Sequence, residues 1–241
     1  MELAFRTNQE AICVLRPYVS SSNVDAIKKQ KSKYKKIIRP LLIPDNGIIN
    51  GNALKNNYFP LETHNNNVYD FFISHSHNDV EAAYLLAAWL QCHCGKTCFV
   101  DSIAWGSADE LLKEIDDKYC YRKHSKTYDY KKRNFTTSHV HAILSMSLLD
   151  VIKNSKYCIF LESNESISLT NGLKKKTFSP WLYEEIKYMR LLQPSKKRRC
   201  FSDSLNEDFK IEYEVDELNL FPFLDGSRLL SLNKDFSQTT L

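Results

Sequence analysis

Val68-Tyr69-Asp70-Phe71-Phe72-Ile73-Ser74-His75-Ser76-His77-Asn78-Asp79 decides the fold of this chain. Tyr69 to Ile73 is short, β-prone and almost continuously apolar, the pattern of a strand covered on both faces, as strands of parallel sheets are. The run stops in Ser-His-Ser-His-Asn-Asp, residues that favour turns and helix N-caps. Val80, Ala83, Tyr84, Ala87 and Leu90 then recur at helical spacing, the apolar stripe of an amphipathic helix. Strand, polar loop and helix make the first half of a βαβ unit. In open α/β sheets the loops at the carboxyl ends of strands line the ligand crevice, so Ser74–Asp79 is expected to wall a site. An ordinary βα connection has the same pattern.

Outward from this stretch, Lys96 to Val100 is a second short strand after the helix-breaking Gly95. Asp101 to Ser107 leaves it as a loop carrying a carboxylate and Trp105. Ala108 to Tyr119 reads as a helix, Cys120 to Thr137 as an irregular polar excursion, and helical spacing resumes at Val140. Tyr157 to Leu161 is a third strand, followed by a lysine-bearing loop. Ser179-Pro180 opens a helix that runs to about Leu192, with Ser as N-cap and Pro at the first helical position. Lys210 to Val215 is expected as a fourth strand, and Leu218 to Leu224, which contains Pro222, reads as an edge strand or an extended loop. Strands alternating with helices predict a parallel sheet of four to five strands, a flavodoxin-like three-layer α/β domain over 68–225 with a tail over 226–241.

Residues 1–67 read as a separate basic helical extension. Asn8 to Leu15 fits a short helix, and Val24 to Leu41 an amphipathic lysine-rich one broken by Pro40 and Pro44. That helix can pack on the following domain or serve a membrane surface or partner. Asn46 to Asn67 reads as a linker.

Hydrophobic content of 43% and charged content of 26% over 241 residues are those of a soluble globular protein. No apolar run approaches the roughly 20 residues that span a bilayer, and the N-terminus lacks a signal-peptide core. Seven scattered cysteines, an odd number, favour reduced thiols in the cytoplasm. The net charge of +4 is concentrated at Lys28–Lys36, Lys174–Lys176 and Lys196–Arg199. These clusters fall in separate segments, which favours solvated surface over a nucleic-acid footprint. Cys92-His93-Cys94 with Cys98 matches no common zinc spacing, and Cys98 is expected in the sheet core, so no metal site is assigned. His139 and His141 stand two apart, on different faces of their helix. The glycine loops that cradle phosphates are absent.

Trp181 and Glu185 share one face of the helix opened by Ser179-Pro180, near the end where the macrodipole favours anions. An indole beside a carboxylate can stack a flat ring and contact a sugar hydroxyl; the pair is also common on surface helices.

Tyr69-Asp70-Phe71-Phe72-Ile73-Ser74-His75 resembles the opening strand and loop of TIR (Toll/interleukin-1 receptor) domains. Phe99-Val100-Asp101 and the loop after it look like that family's second strand and BB loop. Ser179-Pro180-Trp181-Leu182-Tyr183-Glu184-Glu185-Ile186 is similar to its S-x-W-x-x-x-E-[IL] motif. The matches occur in the family's order and cover about residues 68–225. They are closest to prokaryotic TIR proteins with a FISHS opening and a VDS-x-x-WG loop, several of which belong to antiphage defence systems such as Thoeris. The stretch from Gly106 to Ser138 is longer than the family has there, which puts its BB loop in doubt.

The resemblance implies cleavage of NAD+ at the nicotinamide–ribose bond to ADP-ribose or to a cyclic or conjugated ADP-ribose signal, with Glu185 catalytic and Glu184 its uninvolved neighbour. It implies NAD+ contacts from Ser74, His75, Ser76, Asp101, Trp105 and Trp181, and no cofactor beyond NAD+ as substrate. It further implies a homo-oligomer formed through TIR contacts, and an effector protein that senses the product. Two alternatives stand beside the enzyme: a non-enzymatic TIR adaptor acting through homotypic contacts, and a nucleic-acid-associated module using the basic N-terminal helix.

Overall fold

Successive residues of a strand face opposite sides of a sheet, and here that alternation separates two apolar cores. The structure is a computed structural model and describes residues 3–38, 49–58, 69–102, 108–170, 174–193 and 211–237. The first part of the chain runs β1 (Leu3–Asn8), α1 (Gln9–Cys13), α2 (Ser21–Ile38), α3 (Gly51–Tyr58), β2 (Phe71–Ser74), α4 (Val80–Cys94) and β3 (Cys98–Val100). Then follow α5 (Ala108–Tyr119), β4 (Tyr121–Arg122), β5 (Thr127–Tyr128), α6 (Tyr130–Asn154) and β6 (Tyr157–Glu162). The last elements are β7 (Ser168–Thr170), β8 (Lys174–Thr177), α7 (Pro180–Leu192), β9 (Tyr213–Glu214) and α8 (Gly226–Ser237).

Four strands form the main sheet in the order β1-β6-β2-β3, and every pairing in it is parallel. Ala4, Phe72, Phe99, Cys158 and Phe160 point to one face and pack against Leu111 of α5, Leu144 and Leu148 of α6, and Ile186 of α7. Phe71, Ile73, Val100, Ile159 and Leu161 point to the other, against Ile12 of α1, Ile27 of α2, Leu86 and Trp89 of α4, and Leu229 of α8. The result is a helix–sheet–helix arrangement, a mixed α/β fold of three layers. The hinge from α4 into β3 is Gly95, whose φ of 62° is left-handed backbone, a conformation that costs a side-chain-bearing residue about 1 kcal/mol or more. Its place there ends α4 and turns the chain into β3.

Several elements differ from the sequence reading. Residues 1–67, set apart as an extension, contribute β1, which pairs with β6 from Leu3↔Tyr157 to Asn8↔Glu162. This strand is hard to see because half of it is polar. Arg6 answers Glu162 at 2.8 Å, and the Thr7 hydroxyl donates to the Leu224 carbonyl at 2.8 Å. Its partners lie more than 150 positions away in the chain. Within the expected linker, Gly51–Tyr58 is helical, and part of the expected tail is α8, packed on α1 and α4. The fourth strand of the sheet is therefore β1. Tyr213–Glu214, from the segment expected to fill that place, instead joins the small antiparallel sheet β7-β8-β9.

Lys174–Lys176, read as a solvated loop, is the strand β8. Lys175 and Lys176 are buried and paired with Glu162 and Glu212, so their charge is spent inside the fold. The irregular excursion contains the β4–β5 hairpin and the first turns of α6. By length and composition α6 is apolar enough to cross a bilayer. The sequence reading expected no such stretch; its Val140, Leu144, Leu148 and Val151 recur at helical spacing and are buried in the core. Leu218 to Leu224 docks on the free edge of β1: the Arg6 N–H donates to the Pro222 carbonyl at 3.0 Å and the Leu224 N–H to the Arg6 carbonyl at 2.8 Å. Lys196–Arg199, Pro40, Pro44 and residues 59–67 lie outside the described residues.

Because β1, Ile12, Leu15 and Ile27 belong to the core, a chain beginning at Asn67 is expected to lose cooperative folding. The three large side chains alone contribute about 2 kcal/mol each, against a typical total of about 5–15 kcal/mol. Thermal unfolding of the truncated chain checks this; a cooperative transition at the full-length midpoint would contradict it.

Candidate functional site

The sheet delivers three polar side chains to one place because parallel strands end on the same side. Ser74 closes β2, His75 follows it, and Asp101 follows β3. The fourth side chain arrives from α7. Leu182, Glu185, Ile186 and Met189 form its buried stripe, so Glu185 occupies a position where the helix pattern calls for an apolar residue. Ser179 Oγ accepts the Leu182 N–H at 3.3 Å and fixes the start of that helix, and with it the facing of the stripe.

Glu185 has 0% exposure, His75 3% and Asp101 5%. The Ser74 hydroxyl donates to Glu185 Oε2. His75 Nδ1 lies 2.6 Å from Asp101 Oδ1, close but poorly aligned for a hydrogen bond, so the two interact chiefly through charge. Burial drives the Glu185 carboxyl well above the usual carboxylate range, and the Asp101 carboxylate pushes it further up than the Ser74 hydroxyl draws it down. For His75, burial acts downward, but the Asp101 carboxylate outweighs it and the imidazole is raised. Both shifts favour the protonated form, neutral for Glu185 and cationic for His75. His75 Nε2 and Glu185 Oε1 are buried with no hydrogen-bond partner among the described residues. Such atoms cost about 1–3 kcal/mol each.

The structure thus brings together Ser74, His75, Asp101 and Glu185. Ser76 is turned away: its hydroxyl donates to Asp79 Oδ2 at 2.6 Å. Trp181 is half-buried with one ring face against His141, centroids 4.9 Å apart and planes 27° from parallel. Trp105 lies outside the described residues.

Asp79 is the residue the sequence did not single out. It is buried, and besides Ser76 it accepts from Gln9 Nε2 and from Ser163 Oγ, both at 2.5 Å. Those donors follow β1 and β6, so one carboxylate ties together the ends of three parallel strands. Sequence signalled only an N-cap at this position; the long-range donors left no local mark. Among the described residues no three His, Cys, Asp or Glu side chains are placed to hold one metal ion. Burial pushes the Cys94 thiol up to about 11 and raises that of Cys98. No family model matches the chain, and no curated protein or solved structure does.

The raised carboxyl has a consequence for stability. Glu185 keeps its proton in the folded protein, whereas the unfolded chain releases it near the ordinary 4.5. The folded state then binds more protons, and stability falls as pH rises above that value. His75 acts in the same direction: its contribution is full below 6.5 and is lost as pH climbs through the raised value. Glu185→Gln keeps an acceptor for Ser74 and a donor toward Asp101 without the ionisation. The variant is expected to melt higher than wild type above about pH 6, with the gap closing toward about pH 4. Melting curves across pH check this; a variant that is less stable at every pH would contradict it.

Proposed function

We propose that the chain is a TIR-domain enzyme that cleaves NAD+ at the nicotinamide–ribose bond, with Glu185 as the catalytic carboxylate. The observation that carries the reading is the convergence of Ser74, His75, Asp101 and Glu185 at the carboxyl ends of β2 and β3, where α/β sheets place their ligands. The resemblance of the Tyr69–His75 and Ser179–Ile186 motifs to TIR domains supports it.

The chemistry needs a single acid. Glycosidases use a pair because an alkoxide leaving group has to be protonated. Nicotinamide departs from NAD+ as a neutral molecule, taking the electron pair of the breaking C–N bond, so no proton donor is required. The ribose carbon left behind develops oxocarbenium charge. A carboxylate fixed beside it stabilises that charge, and is effective because little water screens it. Glu185 therefore acts ionised. The cationic nicotinamide ring favours that form, so binding and release of the Glu185 proton are linked. His75 Nε2, buried and unpartnered, is suited to donate to a ribose or phosphate oxygen. Attack by water gives ADP-ribose; attack by a group on the substrate itself gives a cyclic isomer.

In this reading the protein is a cytoplasmic homo-oligomer of the Thoeris-like defence type, its product sensed by an effector protein. Self-association through the loop after β3 predicts that specific activity rises with protein concentration; constant specific activity across a wide dilution series would contradict it. The adaptor reading is favoured by one observation, the complete burial of Glu185, since a scaffold can bury a carboxyl it never uses.

Nicotinamide release separates the two. Glu185→Gln is expected to lower turnover on the order of a hundredfold or more, and Glu184→Gln far less, with both variants folded by melting. Equal losses from the two, or no nicotinamide release by wild type at high concentration, would overturn the enzymatic reading.

A further inference from the structure

A cleft of about 640 Å³ opens between α3, α5 and α6, and none of Ser74, His75, Asp101 or Glu185 lines it. Its body is apolar: Ile49, Ile115, Tyr119, Val140 and Ile143 form the walls. The polar groups that reach the body are already engaged. Thr136 lines it, but its hydroxyl donates to Asp116 at 2.6 Å, and Arg133 completes that cluster at 2.9 Å. The volume lies within the roughly 300–1,000 Å³ of small-molecule pockets.

The mouth is different. Lys131 and Lys132 line it, both exposed, and neither forms an ion pair among the described residues. No carboxylate is among the described lining residues. The nearest acids are taken, Asp116 by Arg133 and Asp129 by Arg122. Both lysines sit in the first turn of α6, whose N-cap Asp129 accepts the Lys132 N–H at 3.1 Å, so two lysine charges face one capping carboxylate that is shared with Arg122. Cations at a helix N-terminus oppose the macrodipole, and an anion placed there offsets the repulsion. Phe135, 66% exposed, stands at the same mouth with its ring against His139. An exposed aromatic next to unpaired lysines marks a surface arranged for an apolar molecule with one negative end.

We propose that this cleft binds a single-chain amphipathic carboxylate of the fatty-acid class, with its tail between α5 and α6 and its carboxylate at Lys131 and Lys132. The proposal is independent of the NAD+ reading, since the two sites share no residue.

Gly51 supplies the control. It lines the cleft, and a Cβ there would stand 3.7 Å from Ile143 Cδ1, ordinary contact distance. Gly51→Leu should fill the tail site, and its melting curve checks that the variant is folded. Calorimetric titration of the full chain with decanoate, below its micelle concentration, is expected to show saturable binding of one molecule per chain. Gly51→Leu should abolish that binding. The surface charge reversal Lys131→Glu with Lys132→Glu should weaken it about tenfold or more. Decanol, equal in chain and lacking the charge, should bind more weakly than decanoate. Uptake that does not saturate, undiminished binding by Gly51→Leu, or decanol bound as tightly as decanoate would each overturn the proposal.

Discussion

Holding the Glu185 carboxyl between Ser74 and Asp101 is the constraint to which the strand ends conform. A lone carboxylate placed in an apolar interior costs several kcal/mol even after relaxation. The fold meets that cost by proton uptake and by neighbours: Glu185 is held neutral, Ser74 donates to it, and the charge remaining on Asp101 faces His75. Each of these partners comes from a different segment. The site exists only when β2, β3 and α7 are docked together, and an error in the facing of α7 would bury the wrong side chain. Glu184, one position earlier, lies off the stripe and half-buried, with its Oε2 buried and unpartnered among the described residues.

Asp79 extends the same principle outward. A carboxylate with three neutral donors from the ends of β1, β2 and β6 makes those loops one unit. Hydrogen bonds to a charged group contribute about 1.5–3 kcal/mol each, enough to matter in a protein of ordinary stability. Through Ser76, the position of His75 depends on the N-terminal strand, which joins the sheet on its far side. The N-terminal segment is thus part of the frame of the site.

Much of the sheet was legible because its strands are short apolar runs with strong punctuation: Gly95 before β3, and Ser179-Pro180 before α7. The Ser74, His75, Asp101 and Glu185 cluster was legible only through the resemblance of its motifs to TIR domains, since the spacing of Trp181 and Glu185 alone is common on surface helices. What escaped had no local signature. β1 is a polar edge strand whose Arg6 and Thr7 are satisfied only by residues far along the chain. β8 reads as a charge run because its lysines are neutralised by Glu162, Glu212 and Glu214, distant in sequence. The part played by Asp79 rests likewise on long-range donors, and the turn of Trp181 toward His141 on packing between α6 and α7.

The central claim is that Glu185 carries a proton in the resting protein and gives it up when the nicotinamide cation binds. Infrared difference spectroscopy on NAD+ addition reads this directly, through the carbonyl stretch of a protonated carboxyl. The account predicts a loss of one such band in the wild-type protein and no corresponding loss in Glu185→Gln. A protonated-carboxyl band that persists unchanged through NAD+ binding, or one that disappears equally in the variant, would contradict it.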